Sequence, residues 1–532
     1  MERQLLLGAE AAALGAIDAG ISGVYAYPGT PSTEITEFIQ HSPAARNRGV
    51  RAAWSTNEKT AYEEALGMSY AGKRVLVCMK HVGLNVAADA FINSALTGVG
   101  GGLVLAVADD PSMHSSQNEQ DSRVYGKFAM IPVIEPSNQQ ELYDGVRHAF
   151  QLSESLSLPV MVRLTTRLAH SRAGVVPKEP EPERTLPAAD ALPSAERFVL
   201  MPVNARRQYA RLIGLQRDIE QLAECSWLNR MVEGTASTGV LAFGIAYNYV
   251  MEVREAFDMD FPVLKTGQYP LPLGAAQQLF NQCDSVLVAE EGYPVIEELL
   301  RGFFGNGQVL GRLDGTLART GELNTDIIAR ALGLEPAPAA PVPEIVVPRP
   351  PELCRGCGHR DLYLALNTVM AGHPHDHVFS DIGCYTLGAL APFSAIHTCV
   401  DMGASVTMAI GAAEAGLRPA VAVIGDSTFT HSGMTGLLDA VNRRSSVTII
   451  ITDNDTTAMT GGQNSAATGS RLEAICLGLG VDPLHLRTIV PLKPRLQENI
   501  AVISEEIAYE GVSVILARRE CVERAAKRNR NT

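Results

Sequence analysis

One recurring device constrains this chain more than any other: short runs that are apolar throughout rather than at alternate positions. Arg74–Met79 (RVLVCM), Gly102–Asp109 (GLVLAVAD), Pro159–Leu164 (PVMVRL), Ser285–Gly292 (SVLVAEEG), Ala420–Asp426 (AVAVIGD) and Val447–Asp455 (VTIIITDND) all have this form. A strand with no polar face is buried on both faces, which a parallel sheet achieves when helices cover each side. Helix-length stretches such as Glu58–Ala71 and Glu141–Ser155 lie between the runs, and Leu5–Gly20 reads as another helix closed by Gly20. The expected class is therefore α/β, built from parallel sheets.

At 532 residues, and roughly 150 residues per domain, several such units are expected. We read an α/β domain over 1–172, a Pro-, Glu- and Arg-rich linker with a helical arm over 173–234, and a second α/β domain over 235–335. A Pro-rich linker, 336–351, leads to a third α/β domain over 352–517, and the basic tail 518–532 is expected to fray. Lys and Arg number 44 against 58 Asp and Glu, a net charge of −14, which argues against a nucleic-acid surface as the main business, although glycine-loop amides and helix N-termini can still bind anions locally. No apolar run is long enough to cross a bilayer, and Met1–Ala16 lacks a secretory pattern. Nine cysteines in so large a chain do not form a disulfide scaffold. A cytoplasmic protein is expected.

Chemistry concentrates first in the third domain. Gly425-Asp426-Ser427 closes one apolar strand, and Asn454, 28 residues beyond Asp426, closes the next. A strand–helix–strand crossover sets two such residues side by side at the carboxyl edge of the sheet, where α/β proteins bind ligands. A carboxylate and an amide oxygen are hard donors suited to Mg²⁺ and, through it, a diphosphate. The bland alternative is a capping Asp and a turn Asn in an ordinary crossover. The pattern resembles the thiamine diphosphate motif, and that resemblance adds the carbonyl of Thr456 as a further Mg²⁺ ligand. Gly403-Ala404-Ser405 opens a helix and could offer backbone N–H groups to the cofactor, or simply pack closely on the sheet.

Thiamine enzymes also need a carboxylate against the aminopyrimidine, on a separate domain. Glu58 in NEKTAYEEALG begins a helix rich in small residues and resembles that acid; a lone Glu there is otherwise just a favourable dipole partner. His81 follows an apolar strand and is a candidate catalytic contact, or a loop hydrogen-bond partner. His114 and His431 call for the same caution, and Lys80 and Lys265 read as solvated strand ends. Cys354-x₂-Cys357 in LCRGCGHR is joined by Cys384, and Cys521 ends the last expected strand. A thiolate pair alone cannot hold a cubane. Zinc on Cys354, Cys357, His359 and Cys384 is the alternative.

Longer strings identify a family. AYPGTPSTEI, NEKTAYEEALG, MKHVGLNVAADAFINSALTG, ADDPSMHSSQNEQDSR, DIGCYTLGALAPF, GDSTFTHSGMTG and DNDTTAMTGGQN, spread from the N-terminus to about Cys521, resemble the α subunits of the indolepyruvate:ferredoxin oxidoreductase family. The resemblance implies a pyrimidine-binding domain, a transketolase-C-like middle domain and a diphosphate-binding domain, with thiamine diphosphate and Mg²⁺ bridging the first and third. It implies Thr30 in the Tyr27–Pro31 loop as a donor to the substrate, Arg123 as the substrate-carboxylate residue, and Cys354, Cys357, Cys384 and Cys521 as ligands of a 4Fe–4S cluster. The implied reaction is oxidative decarboxylation of an aryl 2-oxoacid, such as indole-3-pyruvate or phenylpyruvate, to an acyl-CoA. The implied assembly is a homodimer of this chain within a heteromer, completed by a small β subunit. The family's C-terminal ferredoxin-like cysteine runs have no counterpart here, so electrons are expected to leave through a separate ferredoxin-like subunit or ferredoxin. Asp455 departs from the pattern and is expected beside the site or facing solvent. A non-oxidative decarboxylase and an inert assembly subunit are the alternatives.

Overall fold

The computed structural model describes residues 2–184, 195–198, 200, 202–304, 308–318, 320–338, 341–347, 351–373, 378–399, 402–414 and 416–531. Parts of both expected linkers lie outside these residues. The chain divides into two compact units, Met1–Ala340 and Pro341–Thr532.

The first unit holds a seven-stranded sheet in the order Gln268–Tyr269, Val133–Ile134, Val160–Thr165, Leu103–Asp109, Val75–Lys80, Gly23–Ala26, Arg51–Trp54. All neighbours are parallel except Gln268–Tyr269, which runs antiparallel to Val133–Ile134. The register stacks Ala26, Cys78, Ala106 and Val162 across the sheet, and the central strands are wholly buried, as their unbroken apolar runs require. A second sheet runs Val309–Leu310, Ser285–Ala289, Thr238–Phe243, Val263–Thr266, Arg230–Val232. One hydrophobic core, from Ala9 to Ala329, serves both sheets. The middle region therefore lends a strand to the first sheet and shares its core.

Two local expectations shift. The helix expected over Leu5–Gly20 spans Gly8–Asp18, because Gln4–Leu7 pairs antiparallel with Arg172–Val175. The helical arm forms as two pieces, Pro202–Gly214 and Gln216–Glu224.

The second unit is a five-stranded, all-parallel sheet: Val378–Ser380, Val421–Gly425, Val447–Asp453, Val512–Arg518, Leu486–Ile489. Alternate residues feed different cores. Val421, Val423, Ile450 and Ile515 pack with Leu362, Leu366 and Ile503 on one face. Ala422, Ile424, Ile449, Ile451 and Val514 pack with Val406, Leu437 and Leu472 on the other. The expected frayed tail is instead a helix, Val522–Asn531. It is tied down by an Arg524–Asp455 ion pair at 2.9 Å and by Lys527 donating to the carbonyl of Gly461 at 3.0 Å. Cys521 precedes this helix, three residues past the strand that ends at Arg518. Among the described residues no helix is long and apolar enough to cross a membrane.

Candidate active site

In the first unit, adjacent parallel strands Gly23–Ala26 and Val75–Lys80 deliver two loops to one sheet edge. The first loop carries Thr30; the second strand runs directly into the helix His81–Thr97. A Cβ built on Gly29 would lie 3.3 Å from the Lys80 Cβ, so the loops touch. Ser115 Oγ joins them, 3.4 Å from the carbonyl of Thr30 and 3.3 Å from Lys80 Nζ. Lys80 is no solvated end: it is 8% exposed, donates to the Ser115 carbonyl at 2.8 Å, and burial pushes its pKa down to about 8 against the pull of Asp110. Lys265 is also buried, paired with Glu141 and lying over the Tyr247 ring at 5.0 Å. Both strands end beneath a further layer of chain rather than at water.

Glu58 opens the helix Glu58–Tyr70, capped by Asn57 Oδ1, which accepts the Thr60 N–H at 2.8 Å. Its carboxylate is buried against the first turn of the next helix; a Cβ on Gly83 would meet Glu58 Oε1 at 2.6 Å. His81, two residues earlier, is buried, with Nε2 3.3 Å from Asn118 Oδ1 and Nδ1 without a hydrogen-bond partner among the described residues. Glu58, His81 and Thr30 thus gather at one edge, with Lys80, which the sequence reading took for a solvated strand end despite its position between a buried strand and His81.

Arg123 does not fit the substrate role. It is 3% exposed, and its Nε and Nη2 meet both oxygens of Asp121, at 2.9 and 2.5 Å. Nη1 meets Glu290 Oε2 at 2.8 Å and the Tyr269 hydroxyl at 3.3 Å, and Nη2 also reaches the carbonyls of Tyr293 and Glu291. All five guanidinium N–H groups are engaged, leaving none for a substrate. Arg163, also buried, binds Asp109 at 2.6 Å and Glu135. Together these arginines join the two sheets of the unit. Burial raises the Asp121 carboxyl, but Arg123 and Arg163 outweigh it and hold it at about 2. Glu291, with less compensation, is pushed by burial up to about 7. His114 is an exposed partner of Glu322.

In the second unit Gly425 ends its strand opposite Thr452, so Asp426 and Asn454 emerge at the same edge. Asp426 is 2% exposed; its Oδ1 accepts the Ser427 N–H at 2.8 Å, and Oδ2 is buried without a partner among the described residues. Burial, with repulsion from Asp453, pushes its pKa up to about 8 against the pull of the Ser427 and Asp455 N–H groups and the Ser465 side chain. Asn454 Oδ1 lies 3.2 Å from the Thr456 N–H, and Ser427 Oγ 2.9 Å from Thr457 Oγ1. An orphaned buried carboxylate oxygen beside an amide oxygen and the Thr456 backbone is a donor set that fits Mg²⁺. His431 lies in the π-helical turn Phe429–Gly433 that follows, against Ser432 Oγ.

Gly403-Ala404-Ser405 departs from expectation. Gly403, at φ +99°, turns the chain into the helix Ala404–Glu414, and a Cβ there would strike Ser432. The N–H groups of Gly403 and Ser405 both donate to Asp381 Oδ2 at 3.2 Å, and Ser405 Oγ donates to it at 2.6 Å. Their N–H groups face this carboxylate rather than an open anion site. Burial raises Asp381 to about 6 against these hydrogen bonds.

Cys354, Cys357, Cys384 and Cys521 line one cavity of about 290 Å³, together with Asn454, Thr456 and His359. Cys357 caps the helix Gly358–Met370, its N–H donating to the carbonyl of Cys354 at 3.1 Å. Burial and the charges of Cys357, Cys521 and Cys354 push the Cys384 thiol up to about 12. Among the described residues no three His, Cys, Asp or Glu side chains converge on a single-ion site. Four thiols lining one cavity are a donor set that an iron–sulfur cluster uses, and three of them with His359 are one that zinc uses. Asp455, at φ +65°, turns outward to its ion pair with Arg524.

Residues 381–486 match the family "Thiamine pyrophosphate enzyme, C-terminal TPP binding domain", and 14–219 match "Pyruvate flavodoxin/ferredoxin oxidoreductase, thiamine diP-bdg". Fold and matches define a class, the subunits of thiamine diphosphate-dependent 2-oxoacid oxidoreductases. The indolepyruvate oxidoreductase subunit IorA of Methanothermobacter thermautotrophicus is 38% identical over 98% of this chain and 87% of its own length. That of Pyrococcus abyssi is 39% identical over 98% and 86%. The chain belongs to this IorA family. The 2-oxoglutarate:ferredoxin oxidoreductase of Magnetococcus marinus shares the fold, with a TM-score of 0.52 at 16% identity over 62% of this chain and 65% of that one.

Proposed function

We propose that this chain is the α subunit of a cytoplasmic enzyme that oxidatively decarboxylates aryl 2-oxoacids, indole-3-pyruvate or phenylpyruvate, to acyl-CoA and passes electrons to ferredoxin or a ferredoxin-like subunit. Region 1–172 serves as the pyrimidine-binding domain, 235–335 as the transketolase-C-like domain and 352–517 as the diphosphate-binding domain. The chain forms a homodimer and works with a small β subunit.

Thiamine diphosphate, when bound, supplies a nucleophilic carbon and an electron sink for the loss of carbon dioxide. Glu58 holds a proton at the aminopyrimidine ring nitrogen, a role its buried, helix-leading position suits. Asp426, Asn454 and the Thr456 carbonyl hold Mg²⁺, with Gly425 and Ser427 framing the diphosphate. Thr30 and His81 orient the substrate, and Lys80 keeps that edge cationic. Cys354, Cys357, Cys384 and Cys521 would hold a 4Fe–4S cluster, which would supply one-electron chemistry.

The observation that carries this reading is that one sheet edge bears Asp426, with a buried oxygen lacking a hydrogen-bond partner among the described residues, and Asn454, which with Thr456 lines the four-cysteine cavity. The test is anaerobic co-purification with the β subunit, followed by thiamine, magnesium, iron and sulfide analysis and turnover with CoA and a viologen acceptor. We expect a brown protein preferring aryl 2-oxoacids. Zinc in place of iron, with free aldehyde as product, would overturn the oxidative assignment.

A further inference from the structure

His359 is the one aromatic side chain among the described residues that line the cavity, and the mechanism above does not use it. It is 4% exposed, in the first turn of the helix that Cys357 caps. Its Nδ1 lies 3.3 Å from Cys357 Sγ, and its backbone N–H also donates to that sulfur. Its other nitrogen, Nε2, is buried and has no partner among the described residues. Among the described residues no carboxylate hydrogen-bonds to the ring, and the Cys357 sulfur is its one hydrogen-bond partner.

The tautomer follows from the sulfur. A metal-bound thiolate carries no proton and can only accept. With its proton on Nε2, the ring would turn a lone pair on Nδ1 toward the lone pairs of sulfur and bury an N–H without an acceptor. With the proton on Nδ1 it makes an N–H···S hydrogen bond and leaves only an acceptor unsatisfied, the cheaper arrangement.

We propose that His359, as the Nδ1–H tautomer, donates to the Cys357 sulfur and holds the reduction potential of the bound cluster above the value that the four thiolates alone would set. The inference rests on the iron–sulfur reading of this cavity. Reduction adds one negative charge to the cluster, and a donor aimed at a ligand sulfur stabilises that more negative state. His359 is a positioning residue in this sense: it acts through Cys357.

The experiment is a dithionite titration of the anaerobically purified complex, following the reduced cluster by electron paramagnetic resonance, in wild type, His359→Leu and His359→Asn. Iron and sulfide contents should equal wild type in both variants. The midpoint should fall to lower potential in His359→Leu and return toward wild type in His359→Asn, whose amide can restore a donor near Nδ1. An unchanged midpoint in His359→Leu with a full cluster overturns the inference alone. Loss of one iron, with the signal of a three-iron centre, overturns it by making His359 a ligand. A wild-type complex devoid of iron and sulfide removes the underlying reading instead.

Discussion

The backbone N–H of Cys521 donates to the carbonyl of Asn454 at 3.1 Å. The last of the four cavity cysteines is thereby one hydrogen bond from the residue proposed to hold Mg²⁺. The helix Val522–Asn531 continues this connection, reaching back through Arg524 and Lys527 to Asp455 and Gly461 on the loop after Val447–Asp453.

This arrangement predicts that the C-terminal helix positions Cys521. The Arg524–Asp455 pair is partly exposed, so Arg524→Ala should cost no more than about 1 kcal/mol of global stability. It should nevertheless speed hydrogen exchange in residues 522–531 and accelerate iron loss to a chelator. Equal chelation rates in both proteins would count against the helix as a latch.

Asp426→Asn tests the cation site. Thiamine diphosphate with Mg²⁺ at one hundred times its dissociation constant should stabilise the wild type by about 2.7 kcal/mol. That ligand-induced rise in melting temperature should vanish in the variant, while melting without ligand stays equal or rises, since a carboxyl whose charged form burial disfavours is replaced by a neutral amide.

Gly83→Ala should damage Glu58 without touching its chemistry. Alanine gains roughly 1 kcal/mol over glycine inside a helix, but its Cβ would stand 2.6 Å from the Glu58 carboxylate, which must move. Turnover should fall in the same direction as Glu58→Gln, for which a loss of roughly 10²–10⁴-fold is expected of a general acid–base residue. Full activity in Gly83→Ala would mean that the position of Glu58 is unimportant.

Arg123 should behave as structure, not as a substrate contact. Arg123→Ala takes the buried Glu290 carboxyl's cationic partner away and leaves Asp121 to Arg163 at 3.5 Å, a loss of roughly 3–5 kcal/mol. Reduced thermal stability and soluble yield should dominate. A stable protein with only a raised KM would restore the substrate role.

Glu291 supplies a pH signature. Its folded pKa, pushed by burial to about 7, lies above the ordinary 4.5, so the unfolded state releases its proton first as pH rises. Its contribution to stability is full below about 4.5 and declines through about 7, by up to about 1.4 kcal/mol per pH unit. Asp121, held at about 2, acts in the opposite sense but below pH 4 and so outside this window. Denaturant melts from pH 5 to 8 should show wild-type stability falling with pH and a flatter profile for Glu291→Gln.

Local pattern carried much of this protein. Uninterrupted apolar runs announced strands buried on both faces, since only helix-covered parallel sheets hide both sides of a strand; the alternation of Val421, Ala422, Val423 and Ile424 between two cores is the result. The 28-residue spacing placed Asp426 and Asn454 at one edge because a crossover of that length returns a strand beside its predecessor. The small residue at Gly83 and the acid at Glu58 were both visible, but their contact was not.

What the sequence determined by itself was therefore whatever neighbours along the chain enforce: strand burial, helix starts, and the cysteine and Asp–Asn spacings. Only tertiary structure decided which charges are consumed. Arg123 looked available and is sealed by Asp121 and Glu290, whereas Lys80 looked solvated and is buried beside Thr30. Only folding turned a basic tail into a docked helix and aimed the Gly403 and Ser405 N–H groups at Asp381. The reason is physical: a charged group's fate depends on partners distant in sequence and on how much water they exclude, and neither quantity is written in the residues beside it.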